Sequence, residues 1–255
     1  MATPEQPQTL AERFPIKYDG MLGTGQLTQD QAHSIQSFAK LNEDEINERL
    51  DHDAEVAEEL ASSLVALVDH VDGVGLACAL AALVVAQGRE RVALFAGNAE
   101  GQLPIQAFAR VLTSDTATGV EVQAAKVIAA FLNHGSSVEV GDFNSNALLS
   151  WLNGMIQLGS SISDKNLVGL KTAGALFRNR HLRLKFIATP GLQTLCEYLN
   201  DDADREVSPE IRYRASFCLW ALSYHEEAIP AICAGNVTTH IVQVNLPHVD
   251  DKISR

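Results

Sequence analysis

Through the second half of the chain, apolar positions gather into paired helical stretches that return about every 45 residues. Three segments carry the pattern: Val120–Ile156, Leu167–Leu199 and Ile211–Val242. Each opens on a helix rich in small and apolar residues, "VEVQAAKVIAAFL", "LVGLKTAGALF" or "IRYRASFCLWALSY". Each then crosses a polar or glycine-containing break into a second apolar stretch, "NALLSWLNGMI", "GLQTLCEYL" or "GNVTTHIVQV". The second stretches begin at Asn146, Gly191 and Gly235, the spacing of armadillo and HEAT arrays. A single helix pair cannot bury its apolar face alone, so the pattern predicts stacking of successive pairs. The expected fold is all-α, an armadillo/HEAT-like helical-repeat solenoid.

The first half is less regular. Thr28 and Gln31 stand in capping-box spacing ahead of a helix at about Gln29–Ala39, and Asn42 with Glu45 repeats the device. A long apolar region from Val56 to Gln87 follows, broken near Asp72–Gly73, and "RVALFAG" and "LPIQAFARVL" complete a degenerate unit. Polar loops fall at "GNAEGQ", "TSDTATG", "NHGSSVEVGDFNS", "GSSISDKN" and "NDDADREVS", and Ser208–Pro209 opens a helix with a hydroxyl cap and proline at the first position. The expected organisation is a loosely held N-terminus at 1–15, one helical-repeat domain at 16–245, and a divergent or truncated tail at 246–255. The last repeat ends without a polar cap near Val237–Val244, so further protein or a partner is expected there.

Charge narrows the range of partners. The chain carries 19 basic against 32 acidic residues, net −13, and only 6% of it is aromatic. Both features argue against nucleic acid as the main partner, which needs a basic face or stacking platforms. Nine carboxylates and one arginine crowd Glu43–Glu59, read as a solvated face, with docking of a basic partner as the alternative. Gly73–Gly88 is apolar but only 16 residues long and flanked by charge, short of the roughly 20 needed to cross a bilayer. It reads as a buried core helix, without direct membrane insertion. Cys78, Cys196, Cys218 and Cys233 lie in apolar helical contexts without a CxxC pair, the expectation being buried free thiols in a reducing compartment.

No constellation for chemistry emerges. Eight histidines are present, none in HExxH or another ligand spacing, so no metal site is expected and surface or capping roles are preferred. Walker and GxSxG motifs are absent from the sequence, and Cys218 sits among Phe217, Leu219 and Trp220 in a packing environment. No catalytic residue and no cofactor are expected. The one local feature singled out is basic: Arg178, Arg180, Arg183 and Lys185, with His181 among them and no acid from Phe177 to Phe186. It reads either as a solvated helix end or loop, or as a docking site for an acidic protein surface or anionic ligand. Trp220 and Tyr224 lie one turn apart on one helical face, with core packing preferred to a groove.

With these residues in view, the chain resembles the N-terminal domain of the H subunit of the vacuolar-type proton-translocating ATPase. Tyr18, Leu22, Leu27–Thr28, Ile35 and Phe38 are similar to the family's opening, Tyr18 standing where tryptophan is common. "CALAALVVAQGRERVALF", "VEVQAAKVIAAFLNHG" and "NALLSWLNGMI" resemble three successive family helices. The most specific piece is "YRASFCLWALSYHEE", where Tyr213, Phe217, Leu219, Trp220, Leu222, Ser223 and Tyr224 stand at matching positions. The resemblance covers about residues 15–245, and the family's second helical domain has no counterpart in this sequence.

The resemblance implies a non-catalytic regulatory subunit of the soluble ATP-hydrolysing sector. Its expected partner is the peripheral stalk built from the E and G subunits, on the cytosolic face of vacuolar or endosomal membranes. It implies support of ATP hydrolysis, while coupling and inhibition belong to the second domain. Two other classes compete. A general armadillo adaptor binding extended peptides or acidic protein surfaces is one; reading peptides in its groove would repeat Trp-x-x-x-Asn on successive inner helices, whereas here Trp220 is followed by Tyr224 in the asparagine place. An all-helical enzyme would need convergent titratable side chains.

Overall fold

The computed structural model describes residues 9–95, 104–114, 116, 118–135, 143–159, 163–199 and 207–234. Among them every regular element is helical, the helical-repeat class that the periodicity predicts. The chain divides into two compact units, Met1–Phe143 and Asn144–Arg255.

The first unit contains α1 (Leu10–Arg13), α2 (Tyr18–Gly23), α3 (Gln29–Ala39), α4 (Glu43–His52) and α5 (Ala54–Leu67). It continues through α6 (Val74–Val85), α7 (Arg89–Ala93), α8 (Pro104–Val111) and α9 (Thr118–His134). The capping boxes set its helix starts. Thr28 accepts from the Gln31 backbone at 3.2 Å while Gln31 accepts from the Thr28 amide at 3.0 Å. Asn42 and Glu45 exchange the same two bonds at 2.9 and 2.8 Å, so amides that the helix cannot satisfy are paired.

Helix α6 is the heart of this unit. Leu76, Cys78, Leu80 and Val84 are buried along it, and α5 and α9 pack against it. Covered on several sides, it needs no polar face, which is why it reads as apolar all round. Beside it Phe95, Phe108 and Phe131 are fully buried, with Phe95 edge-on to Phe108 at 6.4 Å and to Phe131 at 5.6 Å. Arg91, also buried, pairs with Asp51 and donates to the Asn47 carbonyl at 3.2 Å. It thereby fastens α7 to α4.

The second unit contains α10 (Asn146–Ile156), α11 (Asp164–Leu176), α12 (Arg180–Ile187), α13 (Gly191–Glu197) and α14 (Pro209–Leu222). A 3-10 turn, Glu226–Ala228, then runs into α15 (Ile229–Ala234). Like packs against like: α11 lies on α14, α10 on α13, and α13 on α15. Corresponding helices of successive repeats thus stack, as in a one-dimensional array. The second stretches begin at Asn146 and Gly191 as expected, whereas Gly235 and the end near Val237–Val244 lie outside the described residues.

Close approach in this array depends on Gly169. A Cβ there would fall 2.8 Å from the Met155 Cβ and 3.1 Å from the Met155 carbonyl carbon. The C-terminus of α10 is then closed by side chains from its neighbours. Asn166 donates to the carbonyls of Met155 and Gln157 at 3.2 and 3.0 Å, and the Tyr198 hydroxyl donates to the Ile156 carbonyl at 2.8 Å. These carbonyls have no partner within the helix, and leaving them buried and unpaired would cost about 1–3 kcal/mol each.

Candidate protein-interaction surface

The basic cluster is a turn that runs into a helix, Arg178 preceding the cap and Arg180, Arg183 and Lys185 lying on α12. Asn179 caps it by accepting from the Leu182 amide at 3.1 Å, and Leu182 and Phe186 bury one face. The other face carries the charge, and the four cations separate into two pairs. Arg183 is half-buried and donates to the carbonyls of Phe177 and Arg178 at 2.6 and 3.3 Å. Its Nε also donates to His225 Nε2 at 3.1 Å. It closes the C-terminus of α11 much as Asn166 and Tyr198 close that of α10. Lys185 donates to the buried Ser145 hydroxyl at 3.1 Å. Arg178, Arg180 and His181 are exposed. The cluster is therefore half internal fastening and half surface, and Arg178 and Arg180 are the members available to a partner.

The aromatic residues of α14 are placed opposite to expectation. Trp220 and Tyr224 are not core: they are 54% and 67% exposed, and Tyr213 and Phe217 on the same face are 53% and 40% exposed. The reason lies in the helix itself. Ile211, Ala215, Cys218, Leu219 and Leu222 form a second apolar face, which is buried, and its small residues let neighbouring helices approach closely. The large rings are left outside. Phe217 to Trp220 and Trp220 to Tyr224 are 5.6 and 5.3 Å between centroids, and the Arg214 guanidinium lies 5.7 Å from the Tyr213 ring. A continuous exposed aromatic run along one helix and the turn that ends it is informative, because such patches mark contact surfaces.

The aromatic face and the basic cluster adjoin. A Cβ at Gly174 of α11 would meet the Phe217 ring at 3.3 Å, so Phe217 lies over α11. Lys171 lies one turn before Gly174 on that helix and is exposed, and Arg178, also exposed, follows two residues past the end of α11. Lys171 pairs with Glu210 at 3.0 Å. At the far end the Arg183–His225 hydrogen bond ties α12 to the residue that follows Tyr224. Exposed Glu226 and Glu227 sit just beyond.

The first unit offers a different surface. A groove of 670 Å³ between α3 and α5 is lined by Asp30, His33, Arg49, Glu55, Glu58 and Glu59. Other acids of the run have structural work, since Asp53 caps α5 at the Val56 amide and Asp51 meets Arg91.

Among the described residues, no three His, Cys, Asp or Glu gather as metal ligands, and no helix is long and apolar enough to cross a membrane. Burial pushes the thiols of Cys78 and Cys218 up to about 12 and that of Cys196 to about 11, disfavouring the nucleophilic thiolate. Cys233, expected to be buried with them, is exposed at the end of the last described helix. His225 is buried where a surface or capping role was expected, and nothing in its local sequence announces the arginine that reaches it.

Comparison with curated proteins finds no match. A family model described as the V-ATPase H subunit, in its N-terminal part, matches residues 5–255. The match continues through 246–255, where the repeat pattern stops. The exposed rings of α14 coincide with the motif that carries the resemblance most specifically, Tyr213, Phe217, Trp220 and Tyr224 outward with Leu219 and Leu222 inward. On these grounds the chain belongs to the V-ATPase H-subunit family of regulatory proteins, matching its N-terminal domain.

Proposed function

We propose that this chain binds the peripheral stalk of the V-ATPase, formed by the E and G subunits, and supports ATP hydrolysis by the soluble sector. It acts without an active site of its own, on the cytosolic face of vacuolar or endosomal membranes. The observation that carries this reading is the family match across residues 5–255. The exposed aromatic face beside a basic border supports it, because a regulatory protein needs surface and not a reaction cavity. Fixed placement within a large complex makes modest individual contacts sufficient.

The test is calorimetric titration of the chain into a purified E–G heterodimer. Saturable one-to-one binding is expected. Absence of binding by a chain with intact helical circular dichroism would overturn the reading. Replacing Arg178 and Arg180 together by Glu should weaken the complex, most visibly in low salt where screening is least. Arg183 is left intact in that variant because it holds α11 to His225.

A further inference from the structure

We infer that the aromatic face of α14 is a docking seam for one amphipathic helix with acidic flanks, laid alongside α14. The inference rests on the stalk reading above for its first test and on geometry for its content.

Tyr213, Phe217 and Trp220 follow the spacing i, i+4, i+7 on α14, and Tyr224, two residues past its end, continues the line by meeting Trp220 at 5.3 Å. At 1.5 Å per residue the line is about 16 Å long, three turns of helix. A second helix presents apolar side chains in the same rhythm and can interdigitate along the whole line. An extended peptide crossing the array would instead need one ring from each successive repeat. On α11, the place facing Phe217 is taken by Gly174, so the seam does not continue from helix to helix.

Charge selects the flanks of the partner. Lys171 lies one turn from Gly174, which faces Phe217, Arg214 stands over Tyr213, and exposed Arg178 and Arg180 follow the C-terminus of α11. The acids that oppose them, Glu210 and Glu226 with Glu227, sit at the two ends of α14, and Glu210 is already paired with Lys171. Between those ends the charges of α14 and of the facing turn of α11 are basic, in a chain whose net charge is −13. A helix with Glu or Asp facing α11 is attracted, and a basic helix is repelled. An anionic lipid surface would meet the overall negative charge of the chain and the end carboxylates, so the observations favour a protein helix.

The experiment uses the full chain with Trp151→Phe, which leaves Trp220 as the reporter. The E–G heterodimer should shift Trp220 emission to the blue. Trp220→Ala with Tyr224→Ala should weaken binding more than about tenfold, as loss of central aromatic anchors does, with helicity unchanged. Equal affinity of that variant and the parent chain would overturn the seam while leaving the stalk reading intact.

If the heterodimer binds neither chain, the stalk reading fails and a helical probe decides the seam. That probe is a stapled peptide of about 20 residues with Leu at i, i+4, i+7, i+11 and Glu on its flanks. Binding with a blue shift, abolished when the flanking Glu become Lys, supports the seam. The seam is overturned if the probe does not bind, if an unstapled proline-containing version binds equally, if only anionic vesicles shift the emission, or if light scattering shows the face occupied by a second copy.

Discussion

The two units share an apolar helical core and differ in charge and in what one helix of the second leaves outside. The first holds 8 basic against 21 acidic residues and the second 11 against 11, so the whole net charge of the chain belongs to the first. There Phe95, Phe108 and Phe131 are fully buried, and acids outnumber bases by 13. The second unit buries Phe177, Phe186 and Tyr198 as well, but its helix α14 packs through a face containing Ala215 and Cys218 and turns four large rings outward. The charge of the first unit opposes association, while the second is charge-balanced and carries one exposed aromatic face.

The sharpest way to break this contrast is to delete one ring from each unit. Phe95→Ala should destabilise the protein by about 3–5 kcal/mol, the usual cost of emptying a buried aromatic site. Trp220→Ala should cost no more than about 1.5 kcal/mol, the value of its ring contacts alone. Equilibrium denaturation measures both, and comparable losses would mean that the α14 face is core after all.

Next in size is the close approach within the second unit. Gly169→Ala places a Cβ against Met155 backbone and side chain, and overpacking of this kind costs about 1–3 kcal/mol. Gly154 on α10 has open space around its Cβ position, so Gly154→Ala should be neutral or slightly stabilising through helix propensity. Thermal melts showing equal shifts for the two variants would contradict the tight α10–α11 contact.

The cations come third. Arg183→Ala removes the donor to two carbonyls and to His225, an expected loss of about 1–2 kcal/mol. Arg178→Ala and Arg180→Ala should stay within about 0.5 kcal/mol, as exposed substitutions do. If all three melted alike, the division of the cluster into fastening and surface would be wrong.

That division marks where sequence reasoning stopped. The helix starts at Thr28, Asn42 and Ser208 were legible because a cap is a local device, one side chain and an amide three residues on. The core helix α6 was legible because its apolar run has no polar stripe. Arg183 was not, since its partners include His225, 42 residues away, and no spacing encodes that meeting. Helix α14 was ambiguous for another reason. Its residues are apolar on two faces, and pattern alone does not say which is buried. The usable signal was size: Ala215, Ser216 and Cys218 fit a close helix contact, and four rings do not.

The smallest effect near neutrality, and the one that treats both units alike, belongs to the thiols. Cys78 in the first unit and Cys218 in the second are buried, and desolvation raises each from 9.0 to about 12. The unfolded chain releases these protons near pH 9 while the folded chain retains them. Above pH 9 the unfolded state therefore binds fewer protons, and stability must fall as pH rises. Below pH 9 the two thiols add no slope. Denaturation at pH 8 and pH 10 should show the decline, and replacing both thiols by Ala should reduce it, with Cys196, raised to about 11, contributing part of what remains, provided each variant is compared with itself across pH. Thiol-reagent titration at pH 8 gives the complementary view. Cys233 is exposed and should react in the native protein, whereas Cys78, Cys196 and Cys218 should wait for denaturant. If the thiols of one unit reacted early and those of the other did not, that unit opens at lower free energy, and the comparison between the two would extend from charge and packing to stability.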